Sequence, residues 1–164
     1  VLKLLGVARN VNDKIEVSVS PVMIPEQHPL AKVNDSFNAV FVHGDAVDDA
    51  MFQGRGAGEF PTASAVVADV VDEAKHLHRN IMTNWSSRDL ELMDLDDVEG
   101  RFFVRVSDTT MDEVEKAFGD VQTIEPDNLP EEFGFITPKM KQADYKEKIS
   151  KLDGKVLAMI RVKD

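Results

Sequence analysis

The chain has 164 residues, 43% hydrophobic and 30% charged, with a formal net charge of −11 and no cysteine. That length suits one ordinary domain or two small ones, and an acidic excess spread over both halves excludes the basic face that nucleic acid requires. The missing cysteines remove disulfides, thiolate metal sites and cysteine nucleophiles together.

No run of about 18 apolar residues is present, so no membrane-spanning helix is expected, and the start has no signal-peptide pattern. A cytoplasmic location is the expectation. The chain opens inside an apolar run (Val1, Leu2, Leu4, Leu5), which reads as a piece of a longer protein.

Residues 1–8 read as a strand, 9–14 as a turn, and 15–20 as a second strand alternating at period two, which together make a hairpin. Pro21, Pro25 and Pro29 are expected to break regular structure, with a short helical turn over His28, Pro29, Leu30 and Ala31. Residues 37–42 form a third strand, ended by His43, Gly44 and Asp45, and residues 50–53 a fourth. Then comes a glycine-rich turn, Gly54-Arg55-Gly56-Ala57-Gly58, running directly into an amphipathic helix. Ala63, Val66, Val67, Val70, Val71, Ala74 and Leu77 fall on one helical stripe. Pro61 or Thr62 suits the helix start, and Lys75, His76, His78 and Arg79 suit its negative end. Ala65 and Ala68, small and off the stripe, predict a second closely packed surface.

Residues 83–99 are polar and acidic and read as a linker, with Trp85 expected to pin it to a neighbouring surface. A strand follows at 101–106, with Phe102, Val104 and Val106 on one face. Thr110 and Glu113 form a capping box for a helix carrying Met111, Val114 and Phe118, stopped by Gly119. Strands at 121–125 and 133–137 flank a turn at 126–132. A helix over 142–152 turns Tyr145, Ile149 and Leu152 inward. The last strand, 155–163, aligns Val156, Ala158, Ile160 and Val162. The order β-α-β-β-α-β is that of a ferredoxin-like domain. The class is α+β: a mixed sheet with one long helix over residues 1–82, the linker, and a two-layer βαββαβ domain over residues 100–164.

The glycine turn is the main chemical signal. Glycines allow positive φ and close approach to the main chain, and a helix N-terminus offers unpaired N–H groups to a phosphate or nucleotide edge. A tight connection with no ligand explains the same residues. Gly54, Gly56 and Gly58 fall one residue short of the dinucleotide fingerprint and follow no βαβ start, so they are not that loop. His76 and His78, two apart on a helix, point away from each other and suit the helix dipole better than a metal. His28 and His43 have no acidic partner at ligand spacing and read as structural. Asp45, Asp48 and Asp49 read as a solvated turn. No serine sits in a nucleophile elbow, so neither catalytic nor metal residues are assigned.

Several motifs together resemble homoserine dehydrogenase. They are Lys3-Leu4-Leu5-Gly6-Val7-Ala8-Arg9, Val19-Ser20-Pro21, Ile24-Pro25, His28-Pro29-Leu30-Ala31, Asn38-Ala39-Val40 and Gly44-Asp45. The last is Gly54-x-Gly56-Ala57-Gly58-x-x-Pro61-Thr62-Ala63-Ser64-Ala65-Val66 with Asp69. They stand in the family's order and cover residues 1 to about 80. The second half is similar to the ACT domain, a regulatory module that many members carry at their C-terminus. The resemblance implies an NAD(P)-dependent enzyme interconverting L-homoserine and L-aspartate 4-semialdehyde. It places the nucleotide-binding domain, the catalytic lysine and the homoserine-gripping acids before this chain begins. It also implies that Gly56, Ala57, Gly58 and Thr62 face the cofactor, and that the helix after them re-enters the nucleotide-binding domain.

In the ACT-like half the effector loop falls on Asp108, Thr109, Thr110 and Met111. Methionine stands where the family usually has glycine, which counts against threonine binding there but not against the fold. The expectations are a homo-oligomer, dimer or tetramer, with an amino-acid effector as a possible partner and neither nucleic acid nor membrane. The chain alone is expected to be inactive and to bind no cofactor. The alternative is a stand-alone amino-acid-sensing or interaction protein.

Overall fold

Asn12 and Asp13, at φ 52° and 64°, turn the N-terminus back on itself. Two consecutive left-handed residues make the tight hairpin turn that Asn and Asp tolerate best. The computed structural model describes residues 1–124, 131–152 and 154–163. The strands are β1 (Leu2–Val11) and β2 (Lys14–Met23), in antiparallel register from Leu2 opposite Met23 to Val11 opposite Lys14. Both run longer than the sequence pattern implied. Pro21, read as a breaker, lies inside β2 opposite Leu4. Between Ile15 and Val22 the second side of β2 is paired with neither β5 nor β10, and a proline is tolerated where no ladder bond is lost.

The chain divides into two compact units, Val1–Pro25 with Asp89–Asp164, and Glu26–Arg88. This cut differs from a division at residue 82, because the N-terminal hairpin joins the C-terminal sheet. In the first unit the strands are β5 (Glu91–Leu92), β6 (Glu99–Ser107), β7 (Gln122–Ile124), β8 (Glu132–Ile136), β9 (Met140–Lys141) and β10 (Lys155–Val162). The main order is β1-β2-β10-β6-β8-β7, with β5 beside β2 and β9 beside β6. β10 runs parallel to the end of β2 and antiparallel to β6. The helices are α2 (Met111–Phe118) and α3 (Gln142–Ser150). The expected turn at 126–132 lies largely outside the described residues.

The expected face of β6 is the core. Phe102, Val104 and Val106 are fully buried against Val114 and Phe118 of α2, Phe135 of β8 and Tyr145 of α3. The Phe102 and Tyr145 rings stack at 4.7 Å, and Phe118 and Phe135 meet at 5.2 Å. Each large apolar side chain so buried contributes about 1.5–3 kcal/mol.

In β10 the expected alignment of Val156 with Ala158, Ile160 and Val162 is broken. The register shifts between Val156 and Ala158, so Val156 opposes Val106 while Ala158 opposes Arg105. A bulge of one residue exchanges the two faces beyond it. Arg161 thereby lies with Phe102, its guanidinium 5.6 Å from the ring, and bonds Gln142 of α3.

Residues 91–99 are structured rather than linking. Glu91 pairs with Lys14, and Asp94 accepts from the Asp96 N–H (2.9 Å) to cap a 3-10 turn, Leu95–Asp97. Val98 is buried, and Lys141 reaches Asp97 at 2.8 Å. Hydrogen bonds from Lys146 and Lys141 hold the Asp96 and Asp97 carboxyls below the usual range. Trp85 pins nothing: it is 88% exposed.

The second unit holds a 3-10 turn Pro29–Lys32, the hairpin β3 (Phe37–Gly44) and β4 (Asp48–Arg55), and α1 (Glu59–Lys75). His28 Nδ1 accepts from the Leu30 N–H, and its ring lies 5.1 Å from Phe41. α1 starts earlier than expected and ends before Leu77, and it has no buried residue, so neither the apolar stripe nor Ala65 and Ala68 pack on a surface here. Among the described residues of this unit Ala31 alone is buried.

Candidate functional site

The turn between β4 and α1 owes its shape to two glycines, each for its own reason. Gly58, at φ 121°, is the N-cap of α1, and its carbonyl accepts from the Thr62 N–H at 3.1 Å. Only glycine adopts that backbone conformation without strain. Gly56 is confined by its neighbour: a Cβ there would come within 2.3 Å of Asn38 Nδ2. Gly58 is therefore required by its backbone conformation, and Gly56 leaves the room that the Asn38 carboxamide takes.

No side chain caps α1. The first-turn N–H groups of Glu59 and Phe60 have no intrahelical acceptor, and Pro61 has no N–H to offer. Gly56, Ala57, Gly58 and Thr62 thus share one exposed corner at the positive end of the helix dipole. A planar or anionic part of a ligand can approach this corner closely at Gly58, where no Cβ stands, while at Gly56 the Asn38 carboxamide takes up the side-chain space.

Asp108, Thr109 and Thr110 form the loop from β6 into α2, whose first residue is Met111. Two of the loop's donors are engaged within the chain. The Thr110 N–H and the Thr109 hydroxyl both donate to Glu113, at 2.9 Å each, and the Glu113 N–H donates to Thr110 Oγ1 at 3.4 Å. The backbone donation from Thr110 is the main cause that holds the Glu113 carboxyl below its usual range. Asp108 takes φ 57° and accepts from Ser107, while the Met111 sulfur accepts from Thr123. Gly154 closes the loop from behind, where a Cβ would stand 2.8 Å from Thr109 Cβ.

Two arrangements are not visible from the sequence. His43 has an acidic partner after all: Asp49 lies directly opposite across the β3–β4 ladder, with Nδ1 2.7 Å from Oδ1. A six-residue separation becomes contact only once the hairpin register is known. The packing of Asn38 against Gly56 likewise depends on register, because Asn38 pairs with Gly54. His76 does serve the helix end, its Nδ1 2.9 Å from the Asp72 carbonyl. Among the described residues no group of three or more His, Asp or Glu side chains is placed to hold a metal ion, and no helix is long and apolar enough to cross a membrane.

Residues 1–71 match the family model for homoserine dehydrogenase. The chain is 47% identical over 83 residues to homoserine dehydrogenase of Bacillus subtilis, covering 51% of this chain and 19% of that protein. It is 38% identical over 113 residues to the homoserine dehydrogenase of Neisseria gonorrhoeae, covering 64% of this chain and 26% of that one. The crystal structure of a homoserine dehydrogenase from Thiobacillus denitrificans superposes on 99% of this chain with a TM-score of 0.82 at 28% identity, using 42% of that structure. The chain therefore spans about a quarter or less of these two curated relatives and under half of the solved one. Over its first 71 residues the chain is similar in sequence to homoserine dehydrogenases, and over nearly its whole length it shares the fold of a solved one.

Proposed function

We propose that this chain is part of an NAD(P)-dependent homoserine dehydrogenase, which interconverts L-homoserine and L-aspartate 4-semialdehyde in threonine and methionine biosynthesis in the cytoplasm. The observation that carries the reading is the glycine corner itself: an exposed turn with no Cβ at Gly58, opening into α1, inside the segment matched by the family model. Gly56, Ala57, Gly58 and Thr62 form one wall of the nicotinamide site. The cofactor, when bound, supplies the hydride chemistry. The residues of this chain contribute close backbone approach, outward N–H donors and exclusion of water on that side. The general acid–base group and the acids that grip homoserine come from outside the chain, so residues 1–164 alone are inactive.

Residues 100–164 are read as an ACT-like, ferredoxin-like module. The strand order β10-β6-β8-β7, antiparallel at every step, supports this, as do two helices packed on one core. Its loop is a poor amino-acid site, since Glu113 already takes the Thr109 and Thr110 donors. Association into a dimer or tetramer is supported by Leu2, Leu4, Val17 and Val19, which share one exposed face of the β1–β2 hairpin.

The test is homoserine-dependent reduction of NAD or NADP, followed by the absorbance of the reduced nicotinamide. The full-length protein turns over and the 164-residue chain does not. Turnover by the chain alone, or an inert full-length protein, overturns the reading.

A further inference from the structure

Asn38 stands on β3 directly across from Gly54, and its side chain is directed at the glycine turn. A Cβ on Gly56 would lie 2.3 Å from Asn38 Nδ2, 2.9 Å from Cγ and 3.4 Å from Asn38 Cβ. At Gly54 a Cβ would meet nothing within 4 Å. The carboxamide therefore fills the space a side chain at Gly56 would need.

Little else holds this part of the chain. Phe37 opposite Arg55 is the last rung of the ladder, and residues 56–60 are exposed. Three glycines in five residues leave the backbone unusually free to wander. Beyond the ladder, Arg55 reaches Ser36 Oγ and the Phe37 ring at the start of the turn, and the Thr62 N–H on the Gly58 carbonyl and Pro61 near Gly58 hold its end.

We propose that Asn38 is a positioning residue: by occupying the side-chain space of Gly56 it fixes the path of residues 56–58, and so the direction in which the α1 N-terminus meets the nicotinamide cofactor. This rests on the cofactor-facing reading above and adds to it a residue on another strand that acts through the turn.

The contact can be removed from either side. Asn38→Ala deletes the carboxamide. Gly56→Ala places a methyl where the carboxamide lies, and the carboxamide, the far end of a flexible side chain, swings away with little cost to folding. In the full-length enzyme each variant raises KM for NAD(P) about tenfold, the scale of one lost hydrogen-bond-sized interaction. KM for homoserine and the Tm stay near their original values, a split that a general loss of structure does not produce. The double variant is no worse than either single one, because both remove the same contact.

Gly58→Ala, which strains the turn directly, separates the two ideas. If it raises KM for the cofactor while Asn38→Ala and Gly56→Ala do not, the role of Asn38 is overturned and the cofactor wall stands. Fully additive effects of Asn38→Ala and Gly56→Ala also overturn it. If Gly58→Ala leaves the cofactor KM unchanged, the cofactor wall itself falls, and this inference with it.

Discussion

Val162 of β10 lies beside Met23 of β2, in strands that run parallel although they come from opposite ends of the chain. The Lys163 N–H extends the seam by donating to the Met23 carbonyl at 2.8 Å. An isolated two-stranded hairpin is marginal in water, so β1 and β2 take their stability from this junction. Phe102→Ala, which empties the centre of the core, should cost about 3–5 kcal/mol. Amide exchange should show β2 near Val22 losing protection together with β6. Protection of β2 that survives the substitution would mean that the hairpin folds separately.

Tyr145 gives the first unit an alkaline limit. Its side chain is buried beside Phe102, and burial pushes its pKa from 10.0 up to about 12. A hydroxyl that ionises with more difficulty in the folded state stabilises fully below pH 10 and loses that contribution as pH rises towards 12. A rise of that size corresponds to about 2–3 kcal/mol. Lys14 and Lys141, raised by their bonds to Glu91 and Asp97, weaken in the same direction at high pH. The comparison is therefore between the original chain and Tyr145→Phe. Denaturant unfolding from pH 8 to 12 should show a shallower loss in the variant; parallel curves would rule the tyrosine out.

Thr110 and Glu113 cap α2 reciprocally. Thr110→Ala removes the side-chain acceptor for the Glu113 N–H and should cost about 1 kcal/mol. The carboxyl of Glu113, held low, keeps its contribution above the ordinary carboxylate range and loses it as pH falls through its lowered value. Urea unfolding at neutral pH and again near pH 3 should therefore show a smaller gap between Thr110→Ala and the original at acid pH. A gap that widens would contradict the reciprocal cap.

α1 is a helix without a core. None of its residues is buried, and Val66, Val67 and Val70 are each more than half exposed. A 17-residue helix is marginal in water without packing. In the 164-residue chain its amides should exchange at close to unfolded rates while those of β6 and β8 are protected. In the full-length protein they should be protected. Strong protection in the short chain would show that the stripe is covered without the rest of the enzyme.

Local chemistry was legible where it acts within a few residues. The capping box at Thr110, the inward face of Phe102, Val104 and Val106, and the glycine turn into α1 each depend on spacing along one element. What escaped depends on pairing between elements. Pro21 looked like a breaker because no sequence rule shows that β2 has an open side there. The bulge that turns Arg161 towards Phe102 leaves Val156, Ala158, Ile160 and Val162 looking evenly alternate. Residues 91–99 looked like a linker because their charges have partners far along the chain, Lys14, Lys141 and Lys146. At the candidate site the glycines were visible and the contact of Asn38 with Gly56 was not, for the same reason.

The most direct measurement is the cofactor KM of Gly58→Ala in the full-length enzyme. A Cβ at φ 121° forces residues 56–58 out of their path, where Asn38, Pro61 and the Thr62 N–H are their neighbours. The expected result is a KM for NAD(P) raised about tenfold or more, from strain of about 1–3 kcal/mol at such a residue, with KM for homoserine within about twofold. Unchanged KM for the cofactor in a folded variant would contradict the claim that the glycine corner is a wall of the nucleotide site.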